Sequence, residues 1–187
     1  MPTVEGLTIR PVELADVPAL LTIIADARRE YGIAEKGVEL LDPSDRAIYS
    51  AYQRQRALYF VALLDGQLVG GAGVAPMHGA DPLTCELQRM YLRADVRGRG
   101  IGEALLERCL AAAKQFLYVR CYLETVAQMQ AAIGFYTRHG FRDLQGPLGE
   151  TAHPHNDRWM IRALRASARE SIERIPARAG FGAAATL

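Results

Sequence analysis

Apolar and polar positions alternate along the chain with two different periods, and these divide it into short elements. Leu7–Val12 reads as a first strand. Asp16 is placed to cap a helix whose apolar face is Val17, Leu20, Leu21, Ile24 and Ala27, with Gly32 placed to close it. A second helix is expected after the Asp42-Pro43-Ser44 turn. Leu58–Leu64 and Gln67–Ala75 have strand character, and Asp65-Gly66 between them is a two-residue hairpin signal. Cys85–Leu92 follows as another strand. From Gly100 the period lengthens, so that Ile101, Leu105, Cys109, Ala112 and Phe116 share one helical stripe. Tyr118–Glu124 returns to strand. Thr125 and Gln128 then fit a capping box ahead of a helix with the apolar face Met129, Ala132, Ile133 and Tyr136, and Gly140 stands at its end. Trp159–Leu164 is expected as the last strand.

This order, β-α-α-β-β-β-α-β-α-β, predicts an α+β fold rather than a doubly wound parallel sheet. No internal repeat is visible. Beyond Leu164 the composition turns to Arg, Ala and Glu, so one domain is expected over 1–165 and a partly helical or disordered tail over 166–187. The tail arginines Arg165, Arg169, Arg174 and Arg178 read as a solvated helix face.

Composition narrows the function. The 187 residues carry 22 Lys+Arg against 21 Asp+Glu, a formal net charge of +1, which argues against a nucleic-acid partner held by bulk charge. No apolar run is long enough to span a bilayer. Cys85, Cys109 and Cys121 sit in apolar runs without metal-ligand spacing, which predicts buried thiols and a cytoplasmic protein with no membrane partner. His153-Pro154-His155-Asn156 lacks an acidic or cysteine partner at ligand spacing, so no metal site is expected.

The chemistry concentrates between Glu86 and Leu117. A strand leads into Arg97-Gly98-Arg99-Gly100-Ile101-Gly102 and then a helix. Glycines at a strand-to-helix turn let backbone N–H groups converge at a helix N-terminus, a geometry that suits a phosphate or pyrophosphate, and Arg97 and Arg99 add fixed charge. There is no Gly-Lys-Ser/Thr, so a P-loop is excluded, and the glycine spacing is not that of a dinucleotide fold. Leu87, Met90 and Leu92 cannot all lie on one face of a regular strand. Either a one-residue bulge after Leu87 brings them together, or Met90 faces a helix across a two-sided sheet.

Arg97-x-x-Gly100-x-Gly102 after a strand ending Met90-Tyr91-Leu92 resembles the acetyl-CoA-binding motif of the Gcn5-related N-acetyltransferases. Ala132-Ile133-Gly134-Phe135-Tyr136 with His139-Gly140-Phe141 resembles that family's second motif. One position departs: Met129 stands where relatives often carry asparagine. The resemblance implies a mixed, centrally splayed β-sheet flanked by helices on both faces, with acetyl-CoA as co-substrate. It implies that backbone groups at Met90, Tyr91 and Leu92 take the pantetheine arm and that the turn Arg97, Gly98, Arg99, Gly100, Ile101 and Gly102 holds the pyrophosphate. Tyr136 matches the general acid that protonates the departing thiolate, although its place on the apolar stripe also suits a core residue. Glu86 matches a general base, acting directly or through water, with Glu124 as the other candidate; either carboxylate can instead bind a cationic amine. Tyr31, His153 and Trp159 are candidates to border an acceptor pocket. The expected acceptor is a small-molecule amine and the expected state a monomer or homodimer. A protein N-terminal or lysine acetyltransferase and a non-catalytic acyl-CoA sensor stay open as alternatives.

Overall fold

The computed structural model describes residues 4–32, 47–149 and 156–175. Seven strands form one sheet: β1 (Leu7–Pro11), β2 (Leu58–Leu64), β3 (Gln67–Pro76), β4 (Thr84–Leu92), β5 (Arg120–Thr125), β6 (Arg142–Asp143) and β7 (Arg158–Ala163). Their order is β1-β2-β3-β4-β5-β7-β6. Every neighbouring pair is antiparallel except β4 and β5, which run parallel. The helices are α1 (Val17–Glu30), α2 (Ile48–Ala51), α3 (Ile101–Gln115), α4 (Gln130–Arg138) and α5 (Arg169–Glu173). Of the second helix expected after Pro43, α2 is the described part; residues 33–46 lie outside the described residues.

Helices cover both faces of the sheet. On one face, α3 and α4 bury Leu105, Leu106, Cys109 and Ile133 against Cys85, Leu87, Cys121 and Leu123. On the other, α1 and α2 bury Leu20, Ile24 and Ile48 against Tyr59, Val61 and Ala75. A third cluster joins Met77, Tyr122, Leu144 and Ile161 to Ile172 of α5. The boundary expected at residue 165 therefore falls inside a packed segment, since burying Ile172 contributes stability on the order of 2 kcal/mol. Cys85, Cys109 and Cys121 are all buried free thiols.

Asp16 stands at the N-cap of α1 as expected, but its side chain makes no capping bond to the helix; it closes a short 3-10 turn, Leu14–Asp16, ahead of it. Its carboxylate takes both Arg10 guanidinium nitrogens (2.6 and 2.8 Å) and the Glu13 N–H (2.8 Å). The box expected at Thr125 and Gln128 does not form either. There the chain turns once more, Thr125 Oγ1 meets Met129 Sδ at 3.6 Å, and α4 begins at Gln130 with Met129 as its cap residue. The strand expected from Tyr118 begins at Arg120. Leu117, at φ +65°, ends α3, and the Tyr118 hydroxyl donates to Arg56 O at 3.0 Å.

The Arg10 guanidinium holds the Asp16 carboxyl below the usual carboxylate range. Its contribution to stability is present above about pH 4 and lost as pH falls through the lowered value. Asp16→Asn should cost about 2 kcal/mol in urea unfolding at pH 7, with the deficit narrowing below about pH 4.

Candidate active site

The site grows from the one parallel pair. β4 and β5 are in register only at Thr84–Arg120, Cys85–Cys121 and Glu86–Tyr122. Beyond these three pairs the strands diverge and β4 continues alone on that side to Leu92. Its other edge carries a bulge: Gly73 faces Gln88 and Gly71 faces Tyr91, so two steps on β3 oppose three on β4. The extra residue is accommodated at Arg89, whose φ is +50°. Tyr59 pins it, its hydroxyl donating to Arg89 O at 2.9 Å. The rings of Tyr52 and Tyr59 lie directly on β3, and a Cβ on Gly73 would stand 2.6 Å from Tyr59 and 2.7 Å from Tyr52. The bulge brings Leu87, Met90 and Leu92 to one cluster, the first of the two arrangements expected.

The divergence opens a cavity of about 250 Å³, walled by the end of β4, the turn into α3, α4 and the C-terminal end of α1. Of the candidate residues, Tyr31, Met90, Tyr91, Leu92, Arg97, Gly98, Gly102 and Tyr136 line it together. Arg99, Gly100 and Ile101 do not. Gly98 and Gly100, at φ +74° and +85°, give the turn its shape, and Arg99 is exposed. The Ile101 side chain is 1% exposed and belongs to the core, so only its backbone can serve a ligand. The first bond of the α3 ladder runs from Ala104 N–H to Gly100 O (3.1 Å), leaving the amides of Ile101, Gly102 and Glu103 ahead of it. A Cβ on Gly102 would sit 3.7 Å from Leu92, Met90 and Phe135, where the three walls meet.

Arg97 is engaged. Its Nε donates to Leu92 O at 3.1 Å, and its Nη1 pairs with Glu30 Oε1 at 2.7 Å while the guanidinium lies 5.9 Å from the Tyr31 ring centroid. A charge expected to point at a ligand instead ties α1 to the turn. Arg28 makes a parallel tie, its Nε donating to the Tyr91 hydroxyl at 3.3 Å. Glu103 and Arg138 also line the cavity. Arg138 was legible as the position four residues after Gly134, whose missing side chain leaves it room on the helix face.

Tyr136 is 8% exposed, and burial pushes its phenol above the ordinary value. Glu86, Glu124 and Trp159 are not in this wall. They lie where β4 and β5 part, Glu86 opposite Tyr122 and Glu124 opposite Trp159 in register. Glu124 accepts from the Tyr122 hydroxyl (2.8 Å) and Asn156 Nδ2 (3.2 Å). Trp159 packs beside Tyr122 in the third cluster. Burial, with the Glu124 carboxylate adding to it, pushes Glu86 up to about 7, against a donated bond from Gln88 and the charges of Arg89 and Arg54. His153 lies outside the described residues.

The family model of the acetyltransferase (GNAT) family matches residues 21–141. The Escherichia coli protein YjgM, described as an uncharacterized N-acetyltransferase, is 36% identical over 161 residues, spanning 86% of this chain and 96% of its own. Among solved structures, an acetyltransferase of the GNAT family from Staphylococcus aureus superposes with a TM-score of 0.74 at 20% identity, covering 85% of this chain and 99% of its own. YncA from Salmonella typhimurium, a putative acetyltransferase solved with its cofactor acetyl-CoA, gives 0.69 at 22% identity, with 87% and 96% coverage. The chain belongs to the acetyltransferase (GNAT) family, and its splayed mixed sheet is that family's fold. It is an N-acetyltransferase.

The raised Glu86 value has a sign that can be checked on the protein alone. The native state binds this proton more tightly than the unfolded chain, so the stability it contributes is full below about pH 4.5 and lost as pH rises through about 7. Glu86→Gln should therefore be about 1–3 kcal/mol more stable than the parent at pH 8, and the gap should close toward pH 4.5.

Proposed function

We propose that this protein transfers acetyl from acetyl-CoA to the primary amine of a small molecule, by direct attack of the amine on the thioester through a tetrahedral intermediate. The observation that carries this reading is the cavity at the β4–β5 divergence. It has the leading amides of α3 at one end and the Tyr136 phenol in its wall, and beside it Glu86, pushed up to about 7, stands where the strands part.

Acetyl-CoA is the co-substrate. Its pyrophosphate sits against the amides of Ile101, Gly102 and Glu103, where the helix dipole and converging N–H groups favour negative charge. Arg99 adds exposed positive charge, and Arg97 acts by holding the turn. The pantetheine arm runs along the open edge of β4. Arg93 N–H donates to Val69 O at 2.9 Å, so by alternation the N–H and C=O of Leu92 face that open edge. The Leu92 carbonyl already accepts from Arg97, which leaves its N–H and the backbone of Met90 for the ligand. A backbone amide there polarises the thioester carbonyl as charge develops on oxygen.

Glu86 takes the proton from the acceptor ammonium, directly or through water. A value near 7 leaves about half of it ionised at neutral pH, which suits a base that must later release its proton. Glu124 and Glu86 together make this side attractive to a cation. The collapse of the tetrahedral intermediate breaks the C–S bond, and Tyr136 gives its proton to the leaving thiolate. A phenol in the cavity wall is placed for that task. The end of α1 in the cavity wall, through Tyr31 and Ala27, narrows the approach and favours a small acceptor over a peptide. Among the described residues no helix is long and apolar enough to cross a membrane, and three buried free thiols favour a cytoplasmic location.

Free-thiol release from acetyl-CoA, measured over a panel of small amines and peptide N-termini, should be fastest with a small amine. Tight acetyl-CoA binding without thiol release on any acceptor would overturn the proposal. Tyr136→Phe should lower kcat by roughly 10²-fold with the acetyl-CoA Kd within about threefold. Glu86→Gln should abolish an acidic limb of kcat/KM centred near 7. Gly102→Leu should retain cooperative unfolding yet lose acetyl-CoA binding by calorimetry, because its side chain would occupy the meeting point of the three walls.

A further inference from the structure

A chain of polar side chains leads to Glu86 from outside the cavity. Tyr52, in the residue after α2, is 4% exposed, and its hydroxyl donates to Gln88 Oε1 at 2.7 Å. With that oxygen committed as acceptor, the Gln88 amide nitrogen is turned the other way and donates to Glu86 Oε2 at 2.6 Å. A carboxylate can only accept, so the direction of each bond follows from Glu86: the Gln88 amide nitrogen donates to it, and the Gln88 oxygen accepts from Tyr52. Among the described residues Glu86 Oε1 takes no hydrogen bond. The geometry points to Tyr52 and Gln88 as positioning residues that lock one oxygen of Glu86 and leave the other to accept a proton from the acceptor.

This inference rests on Glu86 being the base. Gln88 and Glu86 lie two apart on β4 and share a face, so the amide holds the carboxylate from along the strand. The Tyr52 ring meets the Tyr59 ring edge-on at a centroid distance of 5.2 Å, and Tyr59 holds the Arg89 carbonyl. The same pair of rings therefore fixes both the bulge and the relay. A relay of fixed direction matters because a carboxylate that receives a hydrogen bond in its charged form is favoured as the charged form. The Gln88 amide opposes the burial that would otherwise keep Glu86 protonated and idle at neutral pH. The other groups facing Glu86 are Tyr122 and Glu124 of β5, Arg89 of its own strand, and Arg54 between α2 and β2.

The test needs no knowledge of the acceptor. In protein labelled with ¹³C at the glutamate side-chain carboxyl, the Glu86 resonance is identified by its absence in Glu86→Gln and titrated by NMR in each variant. Gln88→Met removes the donor at nearly constant volume and should move the Glu86 midpoint up by about one pH unit. Tyr52→Phe leaves the amide present but free to turn, and should move it up by about half that. Tyr118→Phe removes a hydroxyl bonded elsewhere, to Arg56 O, and should leave the midpoint in place, which separates the relay from a general loss of stability. A midpoint unmoved in both Gln88→Met and Tyr52→Phe overturns the relay; if either variant fails to fold, the other decides. The base assignment fails separately, if Glu86→Gln keeps the acidic limb of kcat/KM while the Glu86 midpoint moves from its parent value in Gln88→Met and Tyr52→Phe as expected.

Discussion

The site depends on one constraint: two neighbouring strands of the same sheet that pair for only three residues. Past Glu86 and Tyr122, β4 and β5 have no ladder between them, and half-buried backbone groups are left without strand partners. Each such group costs on the order of 1–3 kcal/mol if nothing replaces the lost bond. The divergence persists because β4 is bent from its other side. The bulge at Arg89 adds a residue opposite β3, and the Tyr59 hydroxyl closes on the Arg89 carbonyl. The Arg97 guanidinium then satisfies the Leu92 carbonyl from within its own turn. What remains open is a row of backbone groups along a cavity edge, and an extended ligand arm with its own amides is the natural complement to it.

The same few residues bend the strand and connect the two faces of the sheet. Gly71 and Gly73 carry no side chain, so the Tyr59 ring packs against both and the Tyr52 ring against Gly73, where any larger residue would collide with them. From that position Tyr59 reaches the bulge and Tyr52 reaches Gln88. The cavity wall on the α3 side and the carboxyl on the α1 side are thus set by a common support. Arg97 and Glu30 add a second tie between the faces, joining the glycine turn to the end of α1. Under the proposed function, a change in either tie would be felt at both ends of the reaction path, because the parts that would hold one substrate also shape the approach of the other.

Much of this was legible in the sequence, for identifiable reasons. Period-3.6 stripes place α1, α3 and α4, and short apolar runs bounded by turn residues place β1 to β5, within a few residues; β2 and β3 read as continuous runs because both their faces are buried. The bulge could be inferred because Leu87, Met90 and Leu92 conflict with a regular strand. The start of α4 could not. Thr125 and Gln128 have the right spacing for a capping box, but Asp157 from the next strand approach takes the Ala127 N–H at 2.7 Å and the chain turns again before the helix. The two-residue β6 is too short for any periodicity to show. Arg97 carries the family's signature, yet its side chain is claimed by Glu30, 67 residues away in sequence. The relay through Tyr52 is invisible for the same reason, as a partner 36 residues from Gln88 leaves no local pattern.

That distance argument also explains the balance of charge. A formal net charge of +1 suggests a molecule with little electrostatic direction. The fold sorts the charges instead. Glu86 and Glu124 stand together where the strands part, while Arg138 and the first amides of α3 belong to the cavity on the other side of the divergence. Arg97, the charge nearest the turn, is paired with Glu30 and so contributes little net field. Attraction for an anion at the turn rests mainly on backbone amides and the α3 dipole, which no pH change within the physiological range can remove. In the proposed function, attraction for a cation would rest on the carboxylates, one of which, Glu86, burial pushes up to about 7. Under the function proposed above, binding of the anionic partner would be insensitive to pH, and pH dependence would enter with the amine.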